Sequence, residues 1–220
     1  MTIITENLLQ IKSQLPAMVT LVAVSKTKPV SDLMEAYNAG QRIFGENKIQ
    51  EMTDKWETMP KDISWHMIGH VQTNKVKFMA EYVSLIHGVD SLKLIHEINK
   101  QAAKQNRVID CLLQMHIAEE ETKFGLNEEE LNEILVSESF KKLTNIRVTG
   151  LMGMATFTDN QSQIKKEFQF LKTIFDKISN LKTANCQLNT LSMGMSGDYQ
   201  LAINCGSNMV RIGSSIFGGR

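Results

Sequence analysis

The strongest constraint on the fold is a regular alternation of short apolar segments with amphipathic ones along the 220 residues. Most apolar segments are hydrophobic at consecutive positions, which is typical of parallel strands covered on both faces. Their centres are spaced by roughly 27 residues, the spacing of a repeated β/α unit. They predict eight strands, at residues 20–25, 42–45, 64–69, 85–89, 110–117, 146–152, 188–193 and 209–212.

The intervening segments predict helices with one apolar face. Asp90-Ser91 supplies an N-cap before the apolar series that starts at Leu94, and Asn127 can cap the acidic segment that follows it. Residues 161–181 form another one-sided helix, and residues 5–14 add one before the first strand. We therefore predict a single (β/α)8 TIM barrel with an extra N-terminal helix, one domain over residues 1–220. The rival, an open doubly wound sheet, lacks its glycine-rich fingerprint after strand 1.

The charge balance excludes some classes of partner. The chain has 24 basic and 24 acidic side chains and no net charge, which argues against binding to nucleic acid or an anionic membrane. No apolar run is long enough to span a bilayer, and the N-terminus lacks a signal-peptide pattern. Three scattered cysteines indicate reduced thiols and no metal site. We expect a cytoplasmic protein with a small-molecule partner.

Lys26 is the first candidate for chemistry. Active sites of TIM barrels lie at the carboxyl ends of the strands, and an apolar strand leads directly into Lys26. A lysine that is partly desolvated there is deprotonated more easily, and Schiff-base chemistry requires the neutral amine. The alternative is an ordinary solvated lysine at a strand end. Lys28, which precedes Pro29, is the competing lysine, and a solvent-exposed role suits it better.

The loops after strands 7 and 8 predict a phosphate site. Ser196-Gly197 can open a short helix whose free N–H groups attract an anion, and Gly213-Ser214 supplies a close backbone approach and a hydroxyl. Loops at these two positions often hold phosphate in TIM barrels. A phosphate and an aldehyde on one small molecule indicate pyridoxal 5′-phosphate (PLP).

Six ordered motifs resemble one known family. They are AVSKTKP, FGEN, WHMIGHVQTNK, GLMGMA, LSMGMSGD and MVRIGSSIFG, and together they extend over nearly the whole chain. In order and spacing they resemble the pyridoxal-phosphate homeostasis protein family, whose members are similar to the barrel domain of alanine racemase standing alone.

The resemblance implies a role for each matched residue. Lys26 matches the lysine that forms a Schiff base with PLP, and Arg211 matches the arginine that faces the pyridine nitrogen. A guanidinium accepts no proton, so it disfavours a protonated ring, and the unprotonated ring is a poorer electron sink. The remaining cofactor contacts that the resemblance implies are Asn47, Met195, Ser196, Gly213 and Ser214.

Three functions remain open from the sequence. The leading one is a PLP carrier that acts in vitamin B6 homeostasis with little or no catalysis, and we expect it to be a monomer. The second is a PLP-dependent amino-acid racemase or lyase, for which no clear second acid/base group is found; Lys123, His66 and His70 have no assigned role. The third is a module that regulates partner proteins.

Overall fold

The computed structural model describes residues 2–120 and 124–219. Its strands are β1 (Thr20–Val24), β2 (Ile43–Glu46), β3 (Ser64–Met67), β4 (Leu85–Val89), β5 (Ile109–Gln114), β6 (Ile146–Met152), β7 (Lys182–Thr183), β8 (Cys186–Ser192) and β9 (Met209–Ile212). Its α-helices are α1 (Ile3–Gln14), α2 (Val30–Asn38), α3 (Ile49–Thr58), α4 (Leu92–Lys104), α5 (Glu128–Val136), α6 (Glu138–Lys141), α7 (Gln161–Ile178), α8 (Tyr199–Asn204) and α9 (Ser214–Phe217).

The sheet closes into a barrel. Strands β1 to β6, β8 and β9 are parallel to their neighbours, and β6 pairs with β8 so that no edge is left between them. The two-residue strand β7, which the sequence analysis missed, pairs antiparallel with β8 outside this ring. Helix α1 precedes β1. The predicted (β/α)8 TIM barrel with an extra N-terminal helix is therefore confirmed.

Side-chain caps explain where several helices begin. Ser91 caps α4 through its side chain, and Asn127 with Glu130 forms a reciprocal capping box at α5. Helix α1 begins earlier than predicted because Thr2 caps it, and α7 ends at Ile178, three residues before the predicted end. The third unit differs from the others, since a 3₁₀ helix at Thr73–Phe78 follows β3.

The apolar core has two layers of unequal size. The large layer lies between the sheet and the helices and includes Phe44, Trp65 and Phe168. The small layer lies among inward-facing side chains of the strands, namely Val22, Leu85, Leu112, Met152 and Met209. Buried polar side chains, among them those of His66, His87, Ser192 and Arg211, are also present. No helix formed by residues 2–120 and 124–219 combines the length and apolar composition needed to cross a bilayer.

Barrel closure depends on a glycine. A Cβ atom on Gly150 in β6 would lie 1.8 Å from the carbonyl oxygen of Thr190 in β8. We predict that Gly150→Ala lowers the free energy of unfolding by about 3 kcal/mol, because the two strands must separate. Urea unfolding checks this, with Gly219→Ala as the control, since nothing lies within 4 Å of a Cβ there. Equal stability of the two variants would contradict the prediction.

Candidate functional site

The carboxyl ends of the strands surround one cavity of about 620 Å³. The loops that follow β1, β2, β8 and β9 bring to it side chains that are far apart in sequence. All seven residues predicted to contact a cofactor line this cavity: Lys26, Asn47, Met195, Ser196, Arg211, Gly213 and Ser214. The barrel topology therefore gathers the residues that the motifs pointed to.

Lys26 lies two residues beyond the end of β1, where its side chain is half-buried at the cavity wall. Thr27 follows it with a φ of +65°, a conformation that is unusual for a β-branched residue. Lys28 also lines the cavity, but its Nζ donates to the carbonyl oxygens of Phe217 and Gly219 at 3.0 and 2.8 Å. Lys28 therefore does not have the solvent-exposed role that was expected. Its ammonium group links this loop to the backbone of Phe217 and Gly219.

The loops after β8 and β9 form a corner of backbone donors. The N–H groups of Gly213 and Ser215 both point to Ser196 Oγ, at 3.2 and 3.5 Å. Gly194 makes the turn possible, because its φ is +97° and a Cβ would lie 2.6 Å from that of Ala202. Two N–H donors converging on one oxygen are suited to an anionic oxygen at the same place.

Met195 lies on the same corner with a different local role. Its N–H donates to Asp198 Oδ1 at 2.5 Å, and its carbonyl oxygen accepts from the N–H groups of Asp198 and Tyr199. These bonds occupy the backbone groups of Met195 with the start of α8. A cofactor contact through this backbone remains a prediction.

Arg211 extends from β9 into the barrel interior, and only 3% of its surface is exposed. One terminal nitrogen donates to Ser192 O at 2.9 Å and to Ser192 Oγ at 2.6 Å, and the other donates to Gly153 O at 3.0 Å. Burial lowers the pKa of Arg211 to about 10, with Asp198 acting in the opposite direction. The guanidinium therefore stays protonated at neutral pH and is fixed in place beside the cavity.

A column of hydrogen bonds continues from Arg211 through the barrel. Ser192 Oγ lies 3.2 Å from His87 Nδ1, and His87 Nε2 lies 3.0 Å from His66 Nδ1. Burial lowers the pKa of His66 to about 3 and that of His87 well below its ordinary value, the latter helped by His66 and Arg211. Both rings are thus neutral at pH 7. A guanidinium has no acceptor atom, so the column cannot pass a proton to Arg211. Its role is to orient the guanidinium through Ser192.

Asn47 brings a side-chain amide to the cavity wall. Its Oδ1 is buried and has no hydrogen-bond partner among the described residues. Asn47 directly follows β2 and lines the cavity. Since buried polar atoms are normally satisfied, this one indicates a place where a ligand donor fits.

The remaining sequence candidates divide between the cavity and the interior. His70 lines the cavity, with its ring stacked 4.1 Å from that of Phe124 and its Nδ1 3.1 Å from Asp90 Oδ2. His66 lies in the interior column, and Lys123 is outside the described residues. His87 and Ser192 were missed because each lies inside an apolar strand, where no sequence signal separates an inward polar residue from core.

The cysteines and metal-ligand types form no further site among the described residues. Cys111, Cys186 and Cys205 are all buried, and burial raises the pKa of each thiol. No group of three or more His, Cys, Asp or Glu side chains within residues 2–120 and 124–219 could hold a metal ion.

The neutral histidine column predicts acid sensitivity. His66 has an ordinary pKa of 6.5 and a folded pKa of about 3, so the unfolded chain binds more protons in between. The free energy of unfolding should fall as the pH drops from about 6.5 towards 3, by about 2 kcal/mol at pH 5 for this one group. In His66→Asn, denaturant titrations at pH 7 and pH 5 should show a drop smaller by that amount. His96→Asn, at an exposed histidine, is the control for the substitution; an unchanged drop in His66→Asn would contradict the prediction.

The sequence of the chain matches a family of known proteins over nearly its whole length. The family model described as "Alanine racemase, N-terminal domain" matches residues 2–220. The pyridoxal phosphate homeostasis protein of Aquifex aeolicus is 40% identical over 201 residues, which cover 91% of this chain and 86% of that protein.

Two solved structures show the same fold. PipY of Synechococcus elongatus, solved with PLP bound, is 33% identical with a TM-score of 0.88, over 98% of this chain and 100% of PipY. An alanine racemase of Clostridium difficile is 18% identical with a TM-score of 0.79, over 99% of this chain and 59% of the racemase, a likeness that shows the fold alone. From these matches, the chain belongs to the pyridoxal phosphate homeostasis protein family, which is built on the alanine racemase N-terminal domain.

Proposed function

We propose that this protein binds pyridoxal 5′-phosphate as a Schiff base on Lys26 and acts in intracellular PLP homeostasis, with little or no catalysis. The observation that carries the proposal is the convergence of three unlike groups on one cavity. These are a half-buried lysine, a buried guanidinium, and a corner of N–H donors. They match the three reactive ends of PLP, namely its aldehyde, ring nitrogen and phosphate.

The residues at the cavity suit this cofactor in charge and donor type. The phosphate would be held by Ser196, Gly213 and Ser214, where two N–H groups already converge on a single oxygen. Asn47 would use its buried Oδ1 near the ring, since this acceptor has no donor among the described residues. The chain has no net charge, so local donors would supply the binding rather than a basic surface. The names of the homeostasis relatives and the PLP-bound PipY structure support the same ligand.

PLP supplies an aldehyde that condenses with a lysine amine, forming a C=N bond and releasing water. The chain's own part is to present Lys26 Nζ, to fix Arg211, and to shield both from bulk water. Because Arg211 is held protonated by Ser192 and Gly153 and only donates, it would keep the ring nitrogen free of a proton. An unprotonated ring would be a poorer electron sink for carbanion chemistry.

The rival function is an amino-acid racemase or lyase that uses the same lysine. Racemisation needs an acid/base group on each face of the substrate carbon. His70 lines the cavity and could serve as one such acid/base group, which favours this rival function. Among the described residues that line the cavity there is no tyrosine, and Tyr199 donates instead to Gln14 on α1 at 2.8 Å. The carrier function therefore has the stronger support.

We further propose that the chain works as a single-domain monomer in the cytoplasm, with PLP as its partner and without binding nucleic acid. The zero net charge supports the last point. Sedimentation of the purified protein with and without PLP checks the monomer, and a dimer at micromolar concentration would contradict it.

Lys26→Ala tests the site of attachment. The unmodified protein with PLP should absorb in the visible region, and borohydride should fix the cofactor on the peptide that contains Lys26. Lys26→Ala should lose both signals because, among the residues that the structure describes, no other amine is held at that wall of the cavity in the same way. Lys28→Ala is the matched control and should keep them. Equal labelling of another lysine in Lys26→Ala would overturn the assignment.

A deuterium-exchange screen separates the carrier from the enzyme. The PLP-loaded protein is incubated in D₂O with each L-amino acid, and exchange at Cα is followed by NMR. We expect exchange far slower than ordinary enzymatic turnover, which is about 1 per second or faster. Exchange at that rate with any amino acid, lost in His70→Ala, would establish the racemase or lyase instead.

A further inference from the structure

We infer that Glu46, Glu51 and Lys55 form a positioning cluster that holds the backbone on both sides of Lys26 and so aims its amine into the cavity. The inference rests on the proposed function of Lys26. None of the three cluster residues is among those that line the cavity, so they act through the Lys26 loop and not by touching the cofactor.

Lys55 is the centre of the cluster. It lies on α3 and is 5% exposed, yet its ammonium group has acceptors for all three of its protons. They are Glu46 Oε1 at 2.7 Å, Glu51 Oε1 at 2.7 Å and the carbonyl oxygen of Ser25 at 2.8 Å. The third acceptor is the residue immediately before Lys26, so this cation is anchored to the Lys26 loop itself.

The two carboxylates complete the hold on that loop. Ser25 Oγ donates to Glu46 Oε1 at 2.6 Å, which fixes the preceding residue a second time. The N–H of Thr27 donates to Glu51 Oε1 at 2.6 Å, which fixes the following residue. Lys26 is therefore bracketed, with its neighbours on both sides bound to one set of charges.

Backbone conformation shows why such a hold is needed. Thr27 has a φ of +65°, and a β-branched residue in the left-handed region costs about 1–3 kcal/mol unless its surroundings impose it. Two hydrogen bonds hold it there, that of the Thr27 N–H to Glu51 and that of the Lys28 N–H to the carbonyl oxygen of Ser25 at 3.1 Å. Released from Glu51, the Thr27 peptide would relax towards an ordinary conformation and turn the Lys26 side chain with it.

Stability alone does not account for the cluster. Buried ion pairs are often no better for folding than apolar residues of the same size. Glu46 is fully buried, its Oε2 has no hydrogen-bond partner among the described residues, and burial raises the pKa of its carboxyl against the opposing effect of Lys55. A cost of this kind is expected where charges are retained for function. Glu46 also precedes Asn47, so the same cluster supports a second wall of the cavity.

Glu51→Ala and Glu51→Gln test the inference as a pair. Glu51 is partly exposed, so both full-length variants should fold. Alanine removes the acceptor for the Thr27 N–H, whereas glutamine keeps an oxygen there. We expect Glu51→Ala to weaken PLP binding about tenfold or more, as misplacement of a reacting group does, and Glu51→Gln to recover most of it. Lys55→Met, which removes all three donors, should weaken binding further.

A second readout does not involve PLP. In the cofactor-free protein, limited acetylation with acetic anhydride followed by peptide mass analysis gives the reactivity of Lys26 relative to Lys28 in the same molecule. Glu51→Ala should change this ratio at least about threefold, because loss of the Glu51 bond to Thr27 would reorient the Lys26 amine. Asn185→Ala is the control for lost stability, since it removes a buried hydrogen bond to Phe140 O at the other end of the barrel.

The outcomes separate the two proposals. If the unmodified protein does not trap PLP on Lys26, the proposed function fails. If it does, and Glu51→Ala keeps both the PLP affinity and the acetylation ratio, the positioning role is wrong. Equal weakening in Asn185→Ala and Glu51→Ala would also overturn it, because the effect would then follow stability.

Discussion

Pairing of β6 with β8 closes the sheet, and the arrangement of the site depends on that closure. In a closed parallel barrel all the strands end at the same rim, so the loops after β1, β2, β8 and β9 meet although their residues are up to 188 positions apart, from Lys26 to Ser214. Gly150 permits the close approach of the two strands. Without closure, β6 and β8 would be edges and the corner of N–H donors would not face Lys26.

The interior of the barrel adds a constraint of its own. Arg211 brings a positive charge into a buried place, where the carbonyl and hydroxyl oxygens of Ser192 and the carbonyl oxygen of Gly153 accept its hydrogen bonds. His87 and His66 continue the column as neutral rings. These hydrogen bonds fix the guanidinium beside the cavity, and the charge of Asp198 helps to keep it protonated.

The positioning cluster, built from the end of β2 and from α3, has the complementary role on the other side of the cavity. Lys55 and its two carboxylates are paired with one another and with the backbone, so their charges are directed at the Lys26 loop. The site thus has two fixed groups. Arg211 is a rigid cation inside the barrel, and Lys26 lies on a loop that the positioning cluster holds. Both depend on buried polar groups that, except for Glu46 Oε2, are hydrogen-bonded by the surrounding elements of the described chain.

The sequence by itself determined the fold class and the residues that line the cavity. Eight apolar segments at a regular spacing predicted the barrel, and residues directly after strands, such as Lys26 and Ser196, were identifiable because parallel strands place their ends together. The tertiary structure alone decided the supporting groups. His87 and Ser192 lie within apolar strands, where the inward face is indistinguishable in sequence from core, and Lys55 reads as an ordinary surface residue of an amphipathic helix. Apart from the i,i+4 pair of Lys55 with Glu51, their roles depend on contacts across 9 to 105 positions of sequence, which local pattern does not encode.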